Sequence, residues 1–178
     1  LPTLEASGLK VQTRINEHTR RLQLHVGEIC ERIKARLAPS RFAVIAVTMT
    51  DLWSGPGWNF VFGQATFHQR VGAFSFARYD PAFFEQARPA GWQRLLLRRT
   101  MKVLTHESGH MLGLWHCVHL RCVMNGSNTL EEDDRVPLHL CPPCLRKLQH
   151  AIGFDPVAHY RAVAAFYRRV GLAEDAAF

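Results

Sequence analysis

No stretch of this chain is long and apolar enough to cross a bilayer as a helix, although hydrophobic residues fill 47% of its 178 positions, so no membrane association is expected. The net charge of +7 comes with no basic block and no aromatic ladder. Its Arg and Lys residues are scattered, so nucleic-acid binding is not expected, and the basic balance reads as solubility or a weak preference for acidic ligands. Repeats and low-complexity tracts are missing. Neither a Ser-His-Asp or Cys-His catalytic arrangement nor a glycine-rich phosphate loop is legible, which removes the commonest nucleophilic and nucleotide-binding chemistries. No secretory signal precedes the cysteines, so a reducing, cytoplasmic setting is expected. The length suits a single domain, 1–178, with a sizeable core.

What is present is concentrated between His106 and Cys144. His106-Glu107-Ser108-Gly109-His110 is an H-E-x-x-H motif. On a helix, residues four apart share a face, so His106 and His110 can hold one zinc ion. Glu107 lies beside that face, placed to take a proton from water at the metal. Gly113 ends the helix through a left-handed turn, which brings His116 back to the same metal. Three protein ligands leave one position open, as a hydrolytic site requires. A bare H-E-x-x-H is a modest signal. Gly113 and His116 at this spacing make it specific. The seven other histidines (18, 25, 68, 119, 139, 150, 159) lack ligand spacing and read as surface or satisfied core residues.

Five cysteines remain. Cys30 shares a helical face with Val26, Ile33 and Leu37 and reads as a buried, inert thiol. Cys117, Cys122, Cys141 and Cys144 form a C-x4-C and a C-x2-C, the paired arrangement of a structural zinc site. Two disulfides, or a redox C-x-x-C, are the competing readings. The first needs an oxidising compartment and the second a βαβ setting. Pro142 and Pro143 have no N–H, so bonds to the Cys141 sulfur would come from the amides of Cys144 and Leu145.

Elsewhere, Leu9 to Asn16 alternate as a half-exposed strand. Val26, Ile29, Ile33 and Leu37 have helical spacing, ended by Pro39. Phe42–Thr50 is apolar nearly throughout and predicts a central strand buried on both faces. A turn-rich loop over Asp51–Gly57 precedes strands over 58–65 and 70–78. Asp80-Pro81 and Asp155-Pro156 open a short helix and the C-terminal helix, the latter stopping at Gly171. The ligand-bearing helix is expected from about Trp92 to Leu112, packed through Trp92, Leu96, Val103 and Leu104 beneath a sheet. Gly109 inside it predicts close packing against a neighbour.

The whole pattern, H-E-x-x-H-x-x-G-x-x-H-C-x4-C-x-M followed by C-x2-C, resembles the archaemetzincin family of zinc peptidases, and every position of it is filled here. The resemblance is most specific over 106–154 and looser through Trp58–Gly63 and Arg70–Tyr79. Sixteen residues separate Met124 from Cys141, one fewer than the family's usual spacing. The resemblance implies an α+β, zincin-like domain: a twisted mixed sheet on helices (1–113), and a C-terminal zinc-knuckle subdomain (114–178). It implies two zinc ions, one catalytic and one structural, and hydrolysis of peptides, aminopeptidase action included, by a monomer. Met124 would form an apolar floor under the imidazoles. The tyrosine that other metzincins place two residues later is Gly126 here. Strand 70–78 would be an edge receiving an extended peptide, along Gly72, Ala73, Phe74, Ser75 and Phe76. The alternative is a non-catalytic zinc module that binds nucleic acid or a protein partner. Glu107 argues against it, since zinc retention alone does not need that carboxylate.

Overall fold

In the computed structural model, which describes residues 10–66, 68–127 and 129–176, the chain divides into two compact units, Leu1–Pro89 and Ala90–Phe178. This division falls at Pro89–Ala90, where the sequence reading had drawn a subdomain limit after Gly113, and it places the ligand-bearing helix with the second unit. Its basic face explains why. Arg98 pairs with Asp175, Arg99 with Asp134 and Lys102 with Asp133, all C-terminal to it.

In the first unit, β1 (Thr13–Ile15) pairs antiparallel with β2 (Leu22–His25). Leu9, at the start of the expected strand, lies outside the described residues. β2 runs directly into α1 (Val26–Lys34), where the His25 ring accepts from the Glu28 amide at 3.2 Å and caps the helix. Val26, Ile29, Cys30 and Ile33 recur at helical spacing on its buried face and pack against Leu24, Leu52, Val71 and Ala73.

Among the described residues the strands form two three-stranded mixed sheets rather than the one expected. One has the order β1-β2-β4 and the other β3-β6-β5, with β3 at Val44–Thr48, β4 at Asp51–Trp53, β5 at Gly63–Thr66 and β6 at Val71–Ser75. β4 lies where a loop was expected. Its Asp51 is buried because both carboxylate oxygens are met by Arg78, at 2.8 Å each, and one also by Gln23. A paired carboxylate can enter a strand that an unpaired one would be driven from.

The roles of β3 and β6 are exchanged relative to the sequence reading. Among the described residues β3 pairs only with β6, and it alternates in burial, with Ile45 and Val47 turned outward, so it is an edge strand of its sheet and not a central one. β6 is bonded on both sides, parallel to β3 and antiparallel to β5. The Ser75 amide goes to Phe62 O at 2.8 Å and the Phe76 amide to Thr48 O at 3.0 Å. Gly72, Ala73, Phe74 and Ser75 thus lie in a buried middle strand with Phe76 at its end, and their backbone groups are taken by neighbours. The expectation that this strand is an open, peptide-receiving edge is overturned. The reason is that the apolar run over 42–50 supplies a partner for it instead of standing at the sheet centre. After Ser75 the chain turns through 3-10 segments, the second capped by Asp80 accepting from the Ala82 amide at 3.0 Å.

The second unit is helical: α2 (Trp92–Met111), α3 (Leu130–Arg135), α4 (Pro142–Ile152) and α5 (Pro156–Arg169). α2 matches its expected bounds closely. Within its own unit Leu97 and Met101 pack against the cluster of Leu138, Tyr167 and Leu172. The sixteen residues between Met124 and Cys141 contain α3, capped by Thr129 accepting from the Glu132 amide. Asp155 caps α5 through the amides of Val157 and Ala158, and the helix ends before Gly171, as its sequence signals require.

Candidate metal centres

α2 delivers His106 and His110 one turn apart. It then stops in a Schellman turn: Gly113 has φ +89°, and the amides of Gly113 and Leu114 bond back to the carbonyls of His110 and Gly109 at 2.9 Å each. That turn aims the Leu114 carbonyl at His110, whose Nδ1 donates to it at 2.7 Å, while His106 Nδ1 donates to Val123 O at 2.8 Å. With Nδ1–H committed to carbonyls, each neutral ring presents a bare Nε2 lone pair. The Nε2 atoms of His110 and His106 lie 3.1 Å apart, and those of His106 and His116 3.2 Å apart. Two bare lone pairs at that distance cannot hydrogen-bond to each other, so a cation is what the arrangement accommodates. A tetrahedral zinc with nitrogen ligands at ~2.05 Å has an N···N edge of about 3.3 Å. The three histidines fit it.

The four cysteines converge separately. Their sulfurs lie within 4.8 Å of one another, and the Cys117 and Cys141 sulfurs are 3.8 Å apart, against an S···S edge of about 3.8 Å for tetrahedral zinc–thiolate coordination. No disulfide is formed by any of the five cysteines. Two amide–sulfur bonds reach Cys122, from Met124 N at 3.4 Å and Cys141 N at 3.3 Å. The Leu145 amide, expected at the Cys141 sulfur, instead bonds to the Cys141 carbonyl because α4 begins there. His119 is exposed and outside both donor sets.

The sequence profile described as Peptidase family M54 matches residues 37–150, a span that contains all seven donors. The chain belongs to peptidase family M54. Mouse Archaemetzincin-2 is 44% identical over 185 residues, a match covering 92% of this chain and 52% of that protein. This chain thus spans about half the length of that relative. The crystal structure of archaemetzincin from Methanopyrus kandleri superposes with a TM-score of 0.61 at 33% identity, over 74% of this chain and 67% of that one. That of archaemetzincin from Archaeoglobus fulgidus, complexed with malonate, gives 0.59 at 30% identity over 83% and 79%.

Burial sets the electrostatics of this M54 site. It lowers the His106 pKa to about 4 and lowers that of His110, keeping both rings neutral and able to ligate. It raises Glu107 to about 7. In the thiol cluster the His119 amide leads in pulling Cys117 down to about 7, while burial pushes Cys122 and Cys144 up. A bound dication would draw all four to thiolates.

Met124 is fully buried, and the close packing foreseen at Gly109 is against it: a Cβ on Gly109 would lie 2.5 Å from the Met124 sulfur. At Gly126 a Cβ would lie 3.3 Å from His116 Nδ1, so the position where other metzincins carry tyrosine is crowded by the third histidine. Two sets of residues escaped the sequence reading. Asn125 bonds to the backbone of Cys117, Leu120 and Cys122; its only signal was the turn-forming Asn-Gly pair. The cations Arg98, Arg99 and Lys102 tie α2 to Asp175, Asp134 and Asp133. An acidic run over 131–134 was visible in the sequence, but its partners were not.

Proposed function

We propose that this chain hydrolyses peptide bonds, preferring short peptides, with an aminopeptidase mode as the narrower form of that reading, and that it holds two zinc ions. The observation that carries the proposal is the convergence of three Nε2 atoms, that of His106 lying 3.1 Å from His110 and 3.2 Å from His116, beside a helix that also bears Glu107. When bound there, zinc supplies a Lewis acid that polarises a carbonyl and lowers the pKa of water. Glu107 lies one residue after His106 and three before His110, so it flanks the ligand face without filling a ligand position. Its carboxylate takes the proton from the attacking water and delivers it to the leaving amine. Val123 and Leu114 hold the imidazoles in one tautomer through their carbonyls, and Met124 fills the space beside Gly109 beneath that turn. The four thiols have no part in the chemistry. They clamp the segment after His116 through the second metal. Thiolate ligands must stay unoxidised, so we take the compartment to be reducing and cytoplasmic.

The test is cleavage of a mixed peptide library by pure protein, abolished by a zinc chelator and restored by zinc, with Glu107→Gln alongside. The variant should keep both metals and lose at least ~100-fold in turnover, the scale of a lost general base. If it cleaves as fast as the parent, the role given to Glu107 is wrong. A zinc-replete parent that cleaves nothing in the library would leave the non-catalytic zinc module as the better reading.

A further inference from the structure

The Asn125 carboxamide closes the loop that carries the first two thiol donors. Its Oδ1 accepts from the Cys122 amide at 2.9 Å, and its Nδ2 donates to Cys117 O at 2.6 Å and Leu120 O at 2.9 Å. The next residue is Gly126, where the His116 imidazole leaves little room for a side chain. Packing around the third histidine therefore favours an Asn-Gly pair at this point. That dipeptide is chemically labile, because no side chain on the second residue hinders its backbone nitrogen from approaching the carboxamide carbon.

We propose that Asn125-Gly126 is a deamidation site guarded by metal bound at the four cysteines, so that metal loss becomes irreversible. The proposal rests on the zinc reading of those cysteines. In the reaction the Gly126 nitrogen attacks the Asn125 side-chain carbonyl carbon. A C–N bond forms, closing a five-membered succinimide, and the side-chain nitrogen leaves as ammonia, carrying the proton lost by the backbone amide. Water then opens the ring at either carbonyl, giving aspartate or isoaspartate at 125.

The three hydrogen bonds oppose the first step by fixing the carboxamide on its loop. Metal reinforces them, since Cys117 and Cys122 bracket the same segment and opening it would strain or break metal–sulfur bonds. The reaction follows the open population, which a bound ion depletes. The product differs from the parent in a specific way. A carboxylate has no N–H to offer, so its oxygens would face the carbonyls of Cys117 and Leu120. Isoaspartate would in addition lengthen the backbone between Met124 and Gly126 by a methylene. Either change loosens the loop that must re-form around the metal.

The experiment compares zinc-loaded protein with protein stripped by chelator under reductant, incubated in parallel at neutral pH. Peptide mapping reads the mass gain of an NH-to-O exchange, and metal content is measured in each sample. Stripped protein should deamidate at 125 at least about tenfold faster than loaded protein. Asn125→Gln, which cannot close the five-membered ring, should show no such mass gain at position 125. Deamidated protein, and Asn125→Asp made directly, should rebind zinc about 10–100-fold more weakly in competition with a chromogenic chelator. Equal rates with and without metal, or no deamidation in the stripped sample, overturn the proposal while the zinc reading stands. A parent that binds no zinc at its cysteines overturns both, and the metal analysis tells the two failures apart.

Discussion

Replacing Gly109 with alanine sets two effects of known sign against each other. In an exposed helix interior the change stabilises by about 1 kcal/mol, because glycine has more conformational freedom to lose. Here the new Cβ would lie 2.5 Å from Met124 Sδ, 3.1 Å from its Cε and 3.5 Å from Leu114 Cδ1. The thioether is flexible, but Met124 is 0% exposed, so any shift has to be made among buried neighbours. Overpacking of that kind costs about 1–3 kcal/mol. The net expectation lies between no change and a loss of about 2 kcal/mol. Moving Met124 also disturbs Val123, whose carbonyl holds the His106 ring, so zinc affinity at the histidines should fall as well. The assay is urea denaturation of zinc-loaded protein in a double-mutant cycle with Met124→Ala, which alone should cost about 2–5 kcal/mol. On the Met124→Ala background the clash is gone, and Gly109→Ala should recover its stabilisation of about 1 kcal/mol. If Gly109→Ala stabilises by that amount in both backgrounds, the sulfur does not press on the helix and the reasoning fails.

Three further outcomes follow from the packing. Lys102, 1% exposed, bonds to the Asp133 carbonyl and lies 3.5 Å from its carboxylate; Lys102→Met should cost about 3–5 kcal/mol by leaving that carboxylate unpaired, and adding Asp133→Asn should recover part of it in thermal melts. Cys141→Ser should lower the melting temperature of the C-terminal unit and release one zinc of two, because structural metal binding is folding free energy; a variant with parental melting and metal content would show that Cys141 is no ligand. Burial raises the Cys30 thiol from its ordinary 9.0 to about 11, so its contribution to stability is fully present below pH 9 and lost as pH rises through 11. Cys30→Ala should flatten that alkaline limb in denaturation curves, and in the folded parent Cys30 should resist alkylation at mildly basic pH.

Sequence alone determined most of the ligand-bearing half. His106, Glu107, His110 and Gly113 sit on one helix and its cap, where spacing is geometry: 3.6 residues per turn fix the face, and a left-handed glycine fixes the exit. His116 and the Cys117–Cys122 pair follow within a few residues of that exit, so local chain direction carries them. The helices capped by Asp80 and Asp155 were legible for the same reason, since a cap is a contact between near neighbours. Tertiary structure decided the rest. An apolar run such as Phe42–Thr50 states that a strand is packed but not which neighbours it has. Pairing put β3 at an edge and β6 between two partners, the reverse of the reading from the run. Asp51 became a strand residue because Arg78, distant in sequence, arrived to neutralise it. The cations of α2 and the carboxamide of Asn125 found their partners in the same way. Local geometry is set by bonds between residues that the chain already holds together. Strand order, buried ion pairs and loop clamps depend on which distant groups meet, and that is chosen by the free energy of the whole fold.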